Sequence, residues 1–255
     1  MIYVYTSILN GWDNLRPPSV EKVPNVRYIC FTNVPNLPDV EPWEFRPIYL
    51  AGDICRTARV PKILPHLLLP ANCEYSIYHD GNLRLSKHPV DTITRLLGSH
   101  DWAAHRHPCR NCIYDEARIL LKEQIGTAEL IEREIASYRE NSHPEAAGLW
   151  ANGFIARRHN EATARLNERW WQLYSAGCER DQISFPVARL ETGVEVSTID
   201  ANIYESPFVD FFWHAAWKDK PSSREFHTER DGVRERLEEL KRLTGFDGGV
   251  NYPDC

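Results

Sequence analysis

The sequence predicts an α/β fold, a mainly parallel central sheet with helices on both faces. Three observations carry that expectation. Short β-branched and aromatic runs alternate with amphipathic segments through much of the chain, which implies crossover connections. An acidic residue follows directly on one apolar run, Tyr75-Ser76-Ile77-Tyr78-His79-Asp80, where open α/β sheets bind ligands. The 255 residues show no repeat, low-complexity run or linker, so a single domain is expected, 1–255.

The elements follow in order. Met1 to Thr6 is rich in strand-forming residues, and Val26 to Phe31 alternates and stops at Thr32-Asn33. Trp43 to Leu50 is a third strand, suited to an edge because Pro47 interrupts it. Arg56 to Leu69 reads as a helix kinked or shortened by Pro61 and Pro65, with Arg56, Arg59 and Lys62 stacked along it. Tyr75 to Tyr78 is a short strand, Val90 to Leu97 a helix and Asp101 to His105 a strand. Residues 113–125 and 128–140 have the apolar stripe of amphipathic helices. Leu149 to Ile155 reads as a strand around Gly153, and Asn160 caps a helix running to Tyr174. Gln182 to Leu190 is helical at its start, and Val194 to Ile199 is a strand. Val233, Leu237, Leu240 and Leu243 form the stripe of a last helix stopped by Gly245.

Composition narrows the functions. A formal charge of −6 argues against a broad nucleic-acid surface. No apolar run reaches the roughly 18 residues of a membrane helix. Met1-Ile2-Tyr3-Val4-Tyr5 lacks the basic region and cleavage site of a secretory signal, so a cytoplasmic protein, or one peripheral to a membrane, is expected. Seven irregularly spaced cysteines are expected as reduced thiols. The aromatic content divides between core and site. Tyr5, Phe31 and Trp170 fall on buried faces, while Trp12, Trp213 and Trp217 fall in loops.

Four motifs can carry chemistry. Asp80-Gly81-Asn82 offers two oxygen-bearing side chains to one hard cation, Mg²⁺ or Mn²⁺, with the remaining positions left to substrate phosphates; it is also ordinary turn chemistry. His214 can be a third ligand, and the lysines that follow it, Lys218 and Lys220, can neutralise a diphosphate; alone, it reads as a core-edge histidine. Asp181-Gln182 can bond sugar hydroxyls or serve as a base, or Asp181 can simply cap a helix. His105, His107, Cys109 and Cys112 stand within eight residues and raise a structural zinc reading, though a single Cys-x-x-Cys is a weak signal. P-loop, dinucleotide-binding and nucleophile-elbow patterns are absent from the sequence.

Taken in order, these residues resemble the TOD1/MUCI70 glycosyltransferase-like domain family. The similar blocks are Tyr5-Thr6-Ser7-Ile8 with Gly11-Trp12-Asp13-Asn14-Leu15, and Cys30-Phe31-Thr32-Asn33. Arg56, Arg59, Lys62, Pro65 and His66 lead into Asp80-Gly81-Asn82. His107-Pro108, Arg110 and Cys112 to Ala117 form the next block, and Arg180 to Phe185 the last. The resemblance implies a GT-A fold, a nucleotide-sugar donor over the carboxyl ends of the sheet, and Asp80 and Asn82 at the Asp-x-Asp metal motif. His214 with Lys220-Pro221 has the spacing of the C-terminal element of family 8 glycosyltransferases, which leans toward retention of configuration. Asn82 stands for the second Asp, and Ala216-Trp217 replaces a glycine context.

The implied function is metal-dependent transfer of a sugar from a nucleoside diphosphate, a uridine one, to a glycan or polysaccharide acceptor. Asp181 and Gln182 are the catalytic candidates. Thr6, Ser7, Asp13, Arg59, Lys62 and Lys220 are expected on the donor, with Arg59 and Lys62 contacting phosphate or holding Asp80. Asp80, Asn82 and His214 are the metal candidates. Asp115, Glu116, Trp213 and Trp217 are expected on the acceptor side. Residues 1–110 form the nucleotide part and 111–255 the acceptor part. The alternative is a non-catalytic carbohydrate- or nucleotide-binding domain of degenerate transferase type.

Overall fold

The computed structural model describes residues 1–34, 39–48 and 54–214. The helix expected around Val233 to Leu243 lies outside them. The chain runs β1 (Ile2–Ser7), β2 (Val26–Thr32), β3 (Trp43–Pro47), α1 (Ile54–Ile63), α2 (Pro65–Leu68) and β4 (Tyr75–His79). It continues through β5 (Leu83–Leu85), α3 (Pro89–Leu97), β6 (Trp102–Arg106), α4 (Ile113–Lys122), α5 (Ala128–Glu140) and β7 (Trp150–Arg158). The last elements are α6 (Glu161–Ala176), α7 (Asp181–Thr192), β8 (Val196–Ile199), a 3₁₀ turn (Ile203–Glu205) and β9 (Val209–Phe211).

Seven strands form one sheet in the order β3-β2-β1-β4-β7-β6-β8, and β5 pairs with β9 in a separate ribbon. β7 is antiparallel to both its neighbours; every other pairing in the large sheet is parallel. The expected mainly parallel α/β architecture is what the chain adopts. One face packs Tyr5, Ile29 and Ile155 against Ile63, Leu166, Trp170 and Phe185 of α1, α6 and α7. The other packs Val4, Tyr28 and Ile77 against Ile93, Leu96 and Leu97 of α3. A third cluster joins α4, α5 and α7. Trp102 and Trp170 close on Phe185 with ring centroids 5.2 and 4.8 Å away. Each such pair is worth roughly 0.5–1.5 kcal/mol beyond area burial.

Local chemistry explains the boundaries. Pro65 has no N–H, so α1 ends at Ile63 and α2 begins with Pro65 at its first position. Asn160 and Thr163 form a reciprocal capping box at the start of α6. α7 runs on through Pro186 to Thr192 and stops at Gly193 in the left-handed conformation (φ 69°), farther than the sequence indicated. Cys30, Cys73, Cys109, Cys112 and Cys178 are free thiols, whereas Cys55 is disulfide-bonded, which corrects the expectation of reduced thiols throughout. No helix among the described residues is long and apolar enough to cross a membrane.

The corner between α6 and α7 is held by buried polar contacts. Arg56 donates to the carbonyls of Tyr174 (2.7 Å) and Gly177 (2.9 Å). Glu134 accepts the Cys178 amide (2.7 Å) and the Tyr138 hydroxyl (2.6 Å). A Cβ on Gly177 would fall 2.4 Å from the Glu134 carboxylate, so a larger residue would have to displace that hydrogen-bonded group. Burial raises the Glu134 pKa above its ordinary 4.5, against the Tyr138 and Cys178 hydrogen bonds. The folded state therefore binds more protons than the unfolded one, and stability falls as pH rises from about 4.5 toward the raised value. Glu134→Gln is expected to flatten that slope in urea unfolding across pH 4.5 to 8. An unchanged slope would remove Glu134 as its source.

Candidate active site

The strand order reverses between β1 and β4: the chain builds β2 and β3 on one side of β1, then crosses to β4 on the other. In open α/β sheets this switch point leaves a crevice beyond the carboxyl ends of the two central strands. β1 ends at Ser7 and β4 at His79, so Thr6, Ser7 and Asp80 come from neighbouring strand ends. The two following loops press together. A Cβ on Gly81 would lie 2.8 Å from Ile8 and 3.0 Å from Asp13, which explains the glycine in Asp80-Gly81-Asn82.

At this edge Lys62 joins two carboxylates from distant parts of the chain. Its ammonium lies 2.9 Å from Asp181 Oδ2 and 3.3 Å from Asp80 Oδ1. Lys62 is 2% exposed and Asp181 6%, whereas the Asp80 side chain is one-third exposed. The Tyr78 hydroxyl donates to Asp80 Oδ1 at 2.7 Å. Burial opposes ionisation of Asp80, but Lys62, Arg59 and the Tyr78 hydrogen bond together hold its pKa below the usual value. Asp181 is the first residue of α7 and makes no side-chain capping bond; its carboxylate is turned to the cations instead. Arg59 Nε stands 3.7 Å from Asp181 Oδ1, and the guanidinium makes no hydrogen bond among the described residues.

The other expected residues divide. The Thr6 and Ser7 hydroxyls are buried without a hydrogen-bond partner among the described residues. Asp13 is buried and bonds His214 Nδ1 at 3.0 Å. Burial disfavours the charged imidazole, but the Asp13 hydrogen bond and charge, with Asp80 adding, raise the His214 pKa. Asn82 donates its amide to the Phe212 carbonyl at 3.1 Å. No group of three His, Cys, Asp or Glu that could hold a metal ion occurs among the described residues. Asp80 Oδ2 and the Asn82 amide oxygen have no hydrogen-bond partner there either, and so fit a hard cation that takes its remaining ligands from phosphate and water.

On the far side, Asp115 is half-exposed and pairs with Arg118, while Glu116 is buried beside Arg110 and His107. Gln182 is partly buried next to Asp181. Trp12 stands against the His214 ring, centroids 6.4 Å apart, and Trp213 is 65% exposed. Lys218, Lys220 and Trp217 lie outside the described residues. The zinc candidates do not gather: the two ring nitrogens of His105 meet Ala201 O and Ser206 Oγ, and His107 Nδ1 accepts the amides of Cys109 and Arg110.

Sequence reasoning passed over three residues here. Tyr78 gives only a strand signal in the sequence. Asn152, 1% exposed, has neither amide atom hydrogen-bonded among the described residues. It precedes Gly153, where a Cβ would come 3.0 Å from Asp80 Oδ2. Arg157, 0% exposed, donates to the Lys62 carbonyl (2.9 Å) and to Asn167 Oδ1 (3.3 Å) and lies 4.2 Å from the Trp102 ring centre. A polar residue next to a glycine inside an apolar strand was the available signal for Asn152; nothing local marks Arg157.

The model of the TOD1/MUCI70, glycosyltransferase-like domain family matches residues 49–208. No curated protein matches the chain. Among solved structures, that of mouse xyloside xylosyltransferase 1 in its apo form is similar, with 11% identity, 78% of this chain and 84% of that chain covered, and a TM-score of 0.45.

Proposed function

The chain belongs to the TOD1/MUCI70 glycosyltransferase-like domain family, and from that premise we propose that it moves a sugar from a nucleoside-diphosphate donor, a uridine one, to a glycan acceptor. The observation that carries the reading is the crevice at the β1–β4 switch point, with Asp80 and Asp181 drawn onto Lys62 at its edge. Thr6, Ser7 and Asp13 line the nucleotide side. Buried hydroxyls without a partner among the described residues, such as those of Thr6 and Ser7, are costly unless a ligand completes them.

As the sugar–phosphate bond breaks, negative charge grows on the leaving diphosphate. Arg59 is the cation suited to meet it, because it makes no hydrogen bond among the described residues and guanidinium matches phosphate geometry. Lys62 is spent on the two carboxylates and acts by holding them. Asp181 and Gln182 face the sugar and the acceptor hydroxyl. A bound Mg²⁺ or Mn²⁺, held by Asp80 and Asn82, would supply further Lewis-acid stabilisation of the diphosphate. His214, bonded to Asp13, supports the loop beside that pair. Lys220 and the retaining course belong to the same proposal through the C-terminal element. Glu116, ion-paired with Arg110, shapes the acceptor side rather than reaching the acceptor, and Asp115 does the same at its rim.

The reading is tested by incubating the full chain with uridine-diphosphate sugars, Mn²⁺ and oligosaccharide acceptors and measuring nucleotide release. Asp181→Asn is expected to lower kcat by about 100-fold with little change in donor KM, the scale of one lost electrostatic or acid–base group. No release from any donor, or wild-type turnover in Asp181→Asn, would overturn it. Nucleotide-sugar binding without transfer would favour the recognition-domain alternative.

A further inference from the structure

The ribbon of β5 and β9 carries an aromatic row on one of its faces. Tyr204, from the 3₁₀ turn, meets Phe211 edge-to-face with centroids 4.7 Å apart, and Phe211 meets Trp213 the same way at 5.4 Å. Tyr204 is 54% exposed and Trp213 65%, while Phe211 between them is partly buried. The other exposed large apolar residues among those described, Leu67, Val90 and Leu190, are single aliphatic side chains from three different helices. Neither the Tyr204 hydroxyl nor the Trp213 indole N–H has a hydrogen-bond partner among the described residues. Aromatic side chains that offer an apolar body and a free polar tip in one row are a surface that something covers.

The row is tied to the active-site edge. Phe212 alternates to the opposite face, where Arg16 stands 4.1 Å and Arg84 5.4 Å from its ring centre. Its backbone makes two bonds with Asn82, Phe212 N to Asn82 O at 2.9 Å and Asn82 Nδ2 to Phe212 O at 3.1 Å. Residue 82 thus fixes at once the metal-candidate loop and the strand that presents Phe211 and Trp213. The charges around the row select the partner. Glu205 is exposed at its end, while the nearby Arg84 stands over Phe212 on the opposite face and is paired with Asp210 at 2.7 Å.

We propose that Tyr204, Phe211 and Trp213 form an acceptor platform that stacks the apolar faces of successive sugar rings of an uncharged oligosaccharide. The assignment rests on the glycosyl-transfer reading above and names its acceptor class. Sugar rings have an apolar C–H face and hydroxyls around the rim, which match the ring faces and polar tips of tyrosine and tryptophan. An acidic glycan would meet Glu205 as a like charge.

The full chain is titrated with cellohexaose, xylohexaose and hexagalacturonate, with and without uridine diphosphate. Binding is followed by saturation-transfer NMR and by tryptophan emission. A neutral hexaose is expected to receive saturation and shift the emission. Trp213→Ala and Tyr204→Ala each weaken binding about fivefold, the scale of one aromatic contact, and Trp213→Phe retains most of it. Preference for hexagalacturonate, no binding of either neutral hexaose, or affinity unchanged in both alanine variants overturns the platform. Failure here with nucleotide-sugar binding intact leaves the donor reading standing. Hexaose binding through the row, without nucleotide-sugar binding, keeps the platform and sinks the donor reading.

Discussion

Lys62→Met is expected to inactivate the enzyme and to lower its melting temperature by several degrees. Methionine keeps the buried stem but removes the ammonium that lies 2.9 Å from Asp181 and 3.3 Å from Asp80. Breaking a buried ion pair by removing one partner costs roughly 3–5 kcal/mol, because the remaining charge is left uncompensated. Asp181 is the side that bears this cost; Asp80, one-third exposed, is partly screened by water. Arg59 at 3.7 Å from Asp181 keeps some compensation, so the lower end of the range is expected. Activity suffers more, since two carboxylates no longer share a cation and the Asp80 loop and the start of α7 separate. Adding Asp181→Asn to Lys62→Met should recover part of the stability and none of the activity. Thermal melts of the two single variants and the double variant give that coupling directly. A Lys62→Met protein that melts and turns over like wild type would show that the junction is incidental.

Arg157→Met is expected to cost activity far more than stability. Two effects compete in the folded state. Removing a fully buried cation, with no carboxylate partner among the described residues, relieves its desolvation, the same burial that depresses its pKa. Against that, the Lys62 carbonyl and Asn167 lose a donor, at roughly 1–3 kcal/mol for each group left unsatisfied. The two nearly offset, so a melting shift of only a few degrees is expected. Position is not compensated. Lys62 closes the last turn of α1, Pro65 starts a new helix, and the guanidinium on that carbonyl fixes where the turn ends. A kcat lowered about tenfold or more, with donor KM nearly constant, is the signature of lost positioning. Arg157→Lys should recover part of it. Equal losses of stability and rate across both variants would mark Arg157 as a core residue alone.

The parts of this site that the sequence made legible are those with local chemistry. The strand into Asp80, the glycine turn, the Asn160 cap and the break at Pro65 each follow from a few adjacent residues. The direction of β7 does not, because Trp150 to Arg158 is buried on both faces and a run of that kind reads the same either way. The β5–β9 ribbon is three residues a side, below what alternation can signal. Asp181 has the sequence of a helix cap, and only the arrival of Lys62 from 119 residues away turns its carboxylate elsewhere. Arg157 in a strand reads as a surface residue until Trp102 and α1 are packed over it. In each case the missing information was a contact between segments far apart in the chain.

The central claim is that a nucleotide sugar binds at the β1–β4 crevice beside Asp80, and a thermal melt tests it most directly. A uridine-diphosphate sugar with Mn²⁺ should raise the melting temperature of the wild-type protein, and Asp80→Asn, which keeps the side-chain shape without the carboxylate charge, should remove the rise. Absence of a rise with every nucleotide sugar and metal tried, or an equal rise in Asp80→Asn, would contradict it.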